Sequence, residues 1–570
     1  MAMFHDGFQE PGHDRFSSTY LINDSGSKIQ RFHRIKIIIK IIKGLGTFTF
    51  SITGLQKASV AWALEGSNDD IEVLTSWPGA GNRTSVKVPS AITYNGEDIQ
   101  WGYQIGPLTE ACRGIKLLLD EDQDQLMRQV AELILRRLGV TADDSAINFV
   151  LTVPAVWSDK AKDATLRAAI GAGAPMQGIS LVSEPEAAAL YALRAIQPNS
   201  IARDDVFIVC DAGGGTVDLI SYVVKDMDPL RLIEATKGTG RICGSMLLDK
   251  RFEELLRDKM GAENSDVLPN KSKEAALLHW RDRVKPFFAG KFDEDDFSDV
   301  PTYIPLPGAK DDPDARIEDG FFELTTDDIA AIFDPIVQDV VELIDEQIEA
   351  LGEVELSSPT TLLVGGFGAS ECLFRCVQQA HPSIRVLQPP NSWSAVVSGA
   401  VHHGLESHSV ESRIARRNYG VTFRPYWNPE RHAEENKVWN DLEEKHFSQN
   451  MECQWYIRKY SEIAESEPIR LNFYRAVRVR EPPSLTFRPF LYFCNDDNAP
   501  SLENERVMKL CQLEADLHEI PRKLFQKRTN SKGEEYWEIH FTLAMTPGSA
   551  CLLFELEFNG VSYGSVTTKY

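Results

Sequence analysis

Asp211-Ala-Gly-Gly-Gly-Thr-Val-Asp218 follows directly on the apolar run Val206-Phe-Ile-Val-Cys210. Apolar residues with no helical period, closed by three glycines, read as a buried strand that turns into a loop of bare backbone. Without a Cβ, Gly213, Gly214 and Gly215 let the chain take positive φ and approach a ligand closely, with successive N–H groups converging on an anion. Thr216 adds a hydroxyl at the same rim. Asp211 and Asp218 bracket the loop, and carboxylates beside a polyphosphate make sense when a divalent cation or an attacking water lies between them. The pattern points to a metal nucleotide, with a plain glycine-rich hairpin as the bland alternative. A second copy of the plan, Thr360-Thr-Leu-Leu-Val364 followed by Gly365-Gly-Phe-Gly-Ala-Ser370, shifts the balance. Two strand, glycine-loop and helix units predict a duplicated α/β fold closing on one nucleotide.

A chain of 570 residues has room for two or three domains. Its net charge of −24 argues against sequence-independent DNA or RNA binding, because each phosphate contact needs a cation and the long-range field repels a polyanion. Nine cysteines, scattered without a Cys-x-x-Cys pair, read as free thiols in a reducing, cytoplasmic compartment. Cys372 and Cys376, four apart on a predicted helix, read as core because no second Cys or His pair accompanies them. The most apolar window, Ile35 to Ile42, is too short for a membrane span and carries Lys36 and Lys40, so no membrane partner is expected.

In chain order, the polar residues 1–30 read as disordered. Arg31 to Lys43 reads either as a β-branched strand or as a basic amphipathic helix. A first glycine loop is expected near Gly44 to Gly54, yet no acidic residue occurs between Arg31 and Leu64. Val60 to Leu64 and Val86 to Tyr94 read as short strands. Apolar residues at helical spacing predict a helix over 122–138, and Ile147 to Trp157 predicts a strand and turn, with Ser158 and Asp159 opening the next helix. Leu181 to Leu193 reads as a strand end and an alanine-rich helix with Pro185 in its first turn. Glu184 therefore projects where open α/β sheets place ligands, or serves only as a helix N-terminal charge.

In order and spacing, Val153-Pro-Ala-Val-Trp-Ser-Asp159, Glu184-Pro-Glu-Ala-Ala188, Asp211 to Asp218, Gly365-Gly-Phe-Gly368 and Ala395-Val-Val-Ser-Gly-Ala400 resemble the ATPase domain of the heat-shock protein 70 chaperones. That domain is shared with actin and hexokinase. The loop Lys237-Gly-Thr-Gly-Arg-Ile-Cys-Gly-Ser245 is most like the family's divergent twelve branch. The resemblance covers about residues 60–405. It implies a duplicated actin-like, ribonuclease-H-like α/β fold, with two lobes around a cleft that binds ATP or ADP with Mg2+. Gly213, Gly214, Gly215 and Thr216 resemble the family's second phosphate loop. Asp211 resembles the carboxylate that organises magnesium and the attacking water, and Glu184 resembles its partner. Gly365, Gly366, Phe367 and Gly368 resemble the adenosine loop, Lys285 falls in the adenine pocket, and Lys116 is the counterpart of the catalytic lysine.

The departures also bear on function. The family's Asp-Phe-Gly-Thr-Thr loop just before the segment like Val60 to Ala63 is missing, with Gly46-Thr47 its nearest fragment, so hydrolysis should suffer more than binding. Where relatives stack cations on adenine, this chain has Lys285-Pro286 and Ala369. Thr326-Asp327 opens a helix whose stripe from Ile329 to Leu351 is core. The acidic loop 292–299 reads as a solvated insertion. His402, His403 and His408 read as surface residues, and Arg413 to Arg417 as an interdomain patch. From Met451 onward strands dominate, and Asn559-Gly560 predicts a type I′ turn.

The domains expected are a disordered N-terminus (1–30), an actin-like ATPase domain (31–405) with an atypical opening segment (31–59), a junction (406–450) and a β-rich domain (451–570). By position the last resembles a reduced peptide-binding domain without a helical lid. The leading function is an ATPase coupled to polypeptide binding, chaperone-like and weakened. The alternatives are a pseudo-ATPase scaffold that binds nucleotide without turnover and, less favoured, a sugar-kinase-like phosphotransferase.

Overall fold

The computed structural model describes residues 48–53, 57–64, 71–82, 84–95, 98–106, 109, 111–113, 147–155, 157–171, 179–196, 201–291, 301–357, 359–406, 409–465, 467–479 and 485–569. Lys116, the basic run 31–43, the helix expected over 122–138, the acidic loop 292–299 and His408 lie outside the described residues.

The first sheet begins with an antiparallel hairpin of β1 (Phe48–Thr53) and β2 (Lys57–Leu64). Two short strands, β3 (Glu72–Val73) and β4 (Val88–Pro89), pair with β2. A small separate sheet holds β5 (Ala91–Asn95), β6 (Asp98–Trp101) and β7 (Cys112–Arg113). β8 (Ile147–Val153) runs parallel to β1. Ser158 then caps helix α1 (Asp159–Gly171) by accepting the Ala161 N–H at 3.2 Å, as the Ser-Asp pair predicts. β9 (Ile179–Ser183) returns parallel to β8 and passes straight into α2 (Glu184–Ala195). The strand order is β9-β8-β1-β2-β3.

The second sheet repeats that order and polarity. β10 (Val206–Ala212) is buried at every position, as its unbroken apolar run requires. It pairs antiparallel with β11 (Val217–Met227), which pairs antiparallel with β12 (Leu230–Glu234) and with β13 (Thr239–Arg241). A helical layer follows: α3 (Met246–Met260), α4 (Ala262–Val267), α5 (Asn270–His279), a three-stranded sheet of β14 (Thr302–Pro305), β15 (Ile317–Glu318) and β16 (Phe321–Leu324), and α6 (Thr326–Glu353). Thr325 caps α6 in a reciprocal box with Asp328, and the stripe expected to be core is buried from Ile329 to Leu351, with Ile348 at its margin. β17 (Thr360–Val364) runs parallel to β10 and leads into the short α7 (Gly365–Gly368), α8 (Glu371–Ala380), β18 (Arg385–Leu387), parallel to β17, and α9 (Ala395–Leu405). Cys372 is buried in α8 among core residues, as expected.

Between the sheets, α2 and α9 cross. Ala188, Ala189 and Leu190 of α2 join Phe207, Val209 and Leu362 of the second sheet in one core cluster. Val397 and Val401 of α9 join Ala61 and Ala63 of the first. Small side chains set the approach: a Cβ on Gly399 would lie 1.6 Å from the Ala187 carbonyl oxygen. Gly399→Ala should therefore push the helices apart and destabilise the fold by about 3 kcal/mol, the upper range for overpacking. Gly352→Ala in α6, where a Cβ meets nothing within 4 Å, should be neutral or stabilise by up to ~1 kcal/mol. Thermal melts of the pair check both.

The segment expected to be a junction carries strands. β19 (Val410–Ile414) adds parallel to β12, extending the second sheet. β20 (Asn418–Phe423) enters the C-terminal region, followed by a hairpin of β21 (Lys437–Asn440) and β22 (Lys445–Ser448). Next come β23 (Glu452–Ile457), β24 (Glu462–Ala464), β25 (Ile469–Arg478), β26 (Thr486–Phe487), β27 (Phe490–Cys494), β28 (Met508–Asp516), β29 (Gln526–Thr529), β30 (Glu535–Pro547), β31 (Leu552–Phe558), β32 (Val561–Ser565) and β33 (Thr567–Lys569). One sheet runs β23-β20-β27-β28-β26 and the other β25-β30-β31-β32, and they enclose a shared apolar core that includes Leu491, Leu513, Ile539, Phe541 and Leu556. Asn559 (φ 49°) and Gly560 (φ 77°) both take positive φ, as the type I′ turn requires. β24 pairs back onto β19, so hydrogen-bonded sheet runs unbroken from the ATPase-like region to the C-terminal one.

Candidate functional site

Three elements end together on one side of the second sheet: β10, its hairpin loop and β17. Asp211 and Val364 are register partners in the parallel pair β10–β17, so the Asp211 carboxylate and the Gly365 turn are neighbours. Gly365 has φ +86°, and a Cβ there would overlap the Asp211 carboxylate and the Ala212 carbonyl. Only glycine meets both demands. Asp211 and Thr216 are each 5% exposed, so their polar groups sit in a pocket of protein rather than in bulk water.

The Gly213 to Thr216 loop is oriented by a second turn. Ser245 N–H donates to the Gly213 carbonyl (3.2 Å), Met246 N–H to Gly214 (2.8 Å) and Gly244 N–H to Gly215 (3.1 Å). In a trans peptide the N–H points opposite to the preceding C=O. The amides of Gly214, Gly215 and Thr216 are therefore turned away from the 244–246 turn, side by side, which is the arrangement an anion needs. Gly244 is part of this device, since a Cβ on it would meet the Gly214 carbonyl group at 2.5 Å. The loop Lys237 to Ser245 thus gains a role that its sequence alone did not assign.

Glu184 is the first residue of α2, at the C-terminal end of β9, and accepts a hydrogen bond from the Thr152 hydroxyl at 3.4 Å. Gly365, Gly366, Phe367 and Gly368 form α7, with Phe367 buried in the core and Gln388 donating to the Gly368 carbonyl at 2.8 Å. Lys285 lies beside the phosphate-loop turn: its Nζ donates to the Asp249 carboxylate at 2.6 Å and to the Ser245 carbonyl at 3.3 Å. Asp249 is buried and also accepts from Trp280 Nε1 and Arg281 Nε. Lys285 is thus drawn toward an internal carboxylate, which the sequence reading of an adenine contact did not foresee.

One further group adjoins the site. Glu186, one turn into α2, is 1% exposed and takes both guanidinium nitrogens of Arg413 from β19, at 2.7 and 3.1 Å. His403 approaches it at 3.6 Å, which corrects the reading of His403 as a surface histidine. Ser549, from the turn between β30 and β31, donates to the Glu186 carboxylate and accepts the Ser183 N–H at 2.9 Å. The C-terminal region therefore touches the residue immediately before Glu184.

Residues 96–287 match the family model described as Hsp70 protein. Human heat shock 70 kDa protein 12A is 24% identical over 375 residues, with 52% of this chain and 54% of the relative covered. Over these stretches the chain resembles the heat-shock protein 70 family, as a divergent relative. A heat shock protein homolog of Encephalitozoon cuniculi is 28% identical over 306 residues (48% and 42% covered), and the chaperone protein DnaK of Thermosipho africanus is 25% identical over 256 (43% and 39% covered). This heat-shock 70 relative spans about half the length, or less, of the curated proteins it matches. Among the described residues, no helix is long and apolar enough to cross a membrane.

The donor set fits a magnesium nucleotide. Among the described residues no group of three or more His, Cys, Asp or Glu is arranged to hold a metal ion by itself. Magnesium bound through one or two carboxylates, phosphates and water needs none, and Asp211 beside the turned-out amides would supply the protein's share. In the sequence, three residues link β1 to β2, as Gly213 to Thr216 link β10 to β11. Those three residues are Gly54-Leu55-Gln56, with no aspartate or threonine among them.

Proposed function

We propose that this chain binds ATP and ADP with Mg2+ between two lobes of a duplicated actin-like fold, and that it is a slow ATPase coupled to polypeptide binding by its C-terminal β region. The observation that carries the reading is the glycine loop whose three carbonyls are tied to residues 244–246 and whose amides face the other way, beside Asp211 and the Gly365 turn. The repeated strand order of the two sheets, with α2 and α9 crossed between them, supports the duplication. In this reading the amides of Gly214, Gly215 and Thr216 hold phosphate oxygens, and α7 carries the adenosine side. Bound magnesium would neutralise charge developing on the transferred phosphate. Asp211 and Glu184 would orient the attacking water, with Asp211 holding the metal's water shell.

A second reading, nucleotide binding without turnover, is favoured by Gly54-Leu55-Gln56. Half of the phosphate clamp and one carboxylate are missing from the sequence there. Calorimetry with MgATP and MgADP, run beside single-turnover hydrolysis, separates the two. Binding with turnover supports the ATPase, and binding alone supports the scaffold. Gly244→Ala, which moves the phosphate loop, should weaken MgADP binding by about tenfold or more with little change in adenosine binding. No detectable nucleotide binding by the unmodified chain would overturn both readings.

A further inference from the structure

Lys87 is delivered to the glycine loop from the opposite sheet. A Cβ placed on Gly366 would lie 3.3 Å from its Nζ, so the ammonium tip reaches the backbone of α7 next to the turn that touches Asp211. The residues around Lys87 hold it there. The Trp77 indole N–H donates to the Ser85 carbonyl at 2.6 Å, and the Ser85 N–H donates to the Thr75 carbonyl at 2.7 Å. The Ser85 hydroxyl donates to the Lys87 carbonyl at 2.7 Å, and the Tyr103 hydroxyl lies 2.8 Å from that carbonyl and 3.0 Å from the Ser85 oxygen. Trp77 packs edge-on against Trp101, and both are buried. Backbone anchors of this kind, converging just before β4, are more than a surface lysine requires.

We infer that Lys87 is a cation that reads the phosphate chain of the nucleotide across the cleft. This rests on the nucleotide reading above. Asp211 and Asp218 of the second sheet and Glu184 at the end of β9 make the site acidic, and Lys285 is drawn onto Asp249, so a polyphosphate entering beside Gly366 meets a countercharge in Lys87. A first loop written Gly54-Leu55-Gln56 brings no hydroxyl or charge of its own. The cation comes instead from the residue just before β4.

The test uses the full chain and four probes: ATP, ADP, AMP and adenosine, each titrated with Mg2+ by calorimetry, on the unmodified protein, Lys87→Gln and Lys87→Arg. A charge-assisted contact predicts that Lys87→Gln weakens ATP and ADP by about tenfold to a hundredfold, changes adenosine by less than about twofold, and lowers the salt dependence of ATP binding. Lys87→Arg should keep ATP affinity within about threefold and guards against misfolding as the cause. ATP binding by Lys87→Gln equal to that of the unmodified chain would overturn the inference and leave the nucleotide reading standing. Equal losses for ATP and adenosine would also overturn it, by making Lys87 a support of the loop. If the unmodified chain binds no nucleotide, the inference and the nucleotide reading fall together.

Discussion

Replacing Arg413 by alanine is expected to destabilise the protein by about 3–5 kcal/mol, because it strands a carboxylate in the interior. Burial, the largest single effect, would raise the Glu186 pKa, but the Arg413 charge and the hydrogen bonds from His403 and Arg413 together outweigh it, so the carboxyl is held far below its ordinary value of 4.5. A depressed folded-state pKa means that the unfolded chain takes up the proton first on acidification. The pair's contribution is therefore present above about pH 5 and fades as pH falls through the carboxylate range. In Arg413→Ala the burial effect prevails, the Glu186 pKa rises, and the sign reverses: stability should fall as pH rises through the same range. Urea melts between about pH 3 and 7 should show opposite slopes for the two proteins. Parallel slopes would mean that Glu186 is not held by Arg413. Since Arg413 also bonds Glu465 at 3.2 Å and Ser549 shares Glu186, the variant should loosen the C-terminal region first, visible as faster proteolysis near Arg416 and Arg417.

Asp211→Asn should reduce single-turnover ATP hydrolysis by about a hundredfold or more while weakening Mg-nucleotide binding by only about tenfold. The substitution keeps the shape that fits against Gly365 and removes the charge that would hold the metal's water shell. Thermal melting should move little, which separates a chemical effect from a folding defect. Hydrolysis unchanged in Asp211→Asn would remove Asp211 from the proposed machinery. Hydrolysis absent in both proteins, with binding retained, would favour the scaffold reading.

Much of the site's second half could be read from the chain because its causes are local. A run of glycines after a buried strand constrains backbone within a few residues, so Gly213 to Gly215 and Gly365 to Gly368 declare themselves, and Asp211 and Thr216 follow by adjacency. The stripe of α6, the Ser158 cap and the Asn559-Gly560 turn are legible for the same reason, since periodicity, capping and positive φ act over a turn or two. The two strand and glycine units read as a repeat, at β10 and β17, are instead neighbouring parallel strands of one sheet.

What the sequence could not assign depends on contacts between distant segments. Nothing near Lys87 in the chain mentions Gly366, and only the fold brings the ammonium to that backbone. Lys285 carries a family position in its sequence, while its hydrogen bond to Asp249 is a fact of packing. Gly399 reads as an ordinary helix glycine until Ala187 crosses it. Ser549 and Glu186 are 363 residues apart, and the stretch expected to be a plain junction adds a strand to the ATPase-like sheet. Sequence by itself determined the family resemblance, the glycine loops and the turns, because backbone chemistry is written locally. The tertiary structure decided which charges meet, because electrostatic partners are chosen by distance in space.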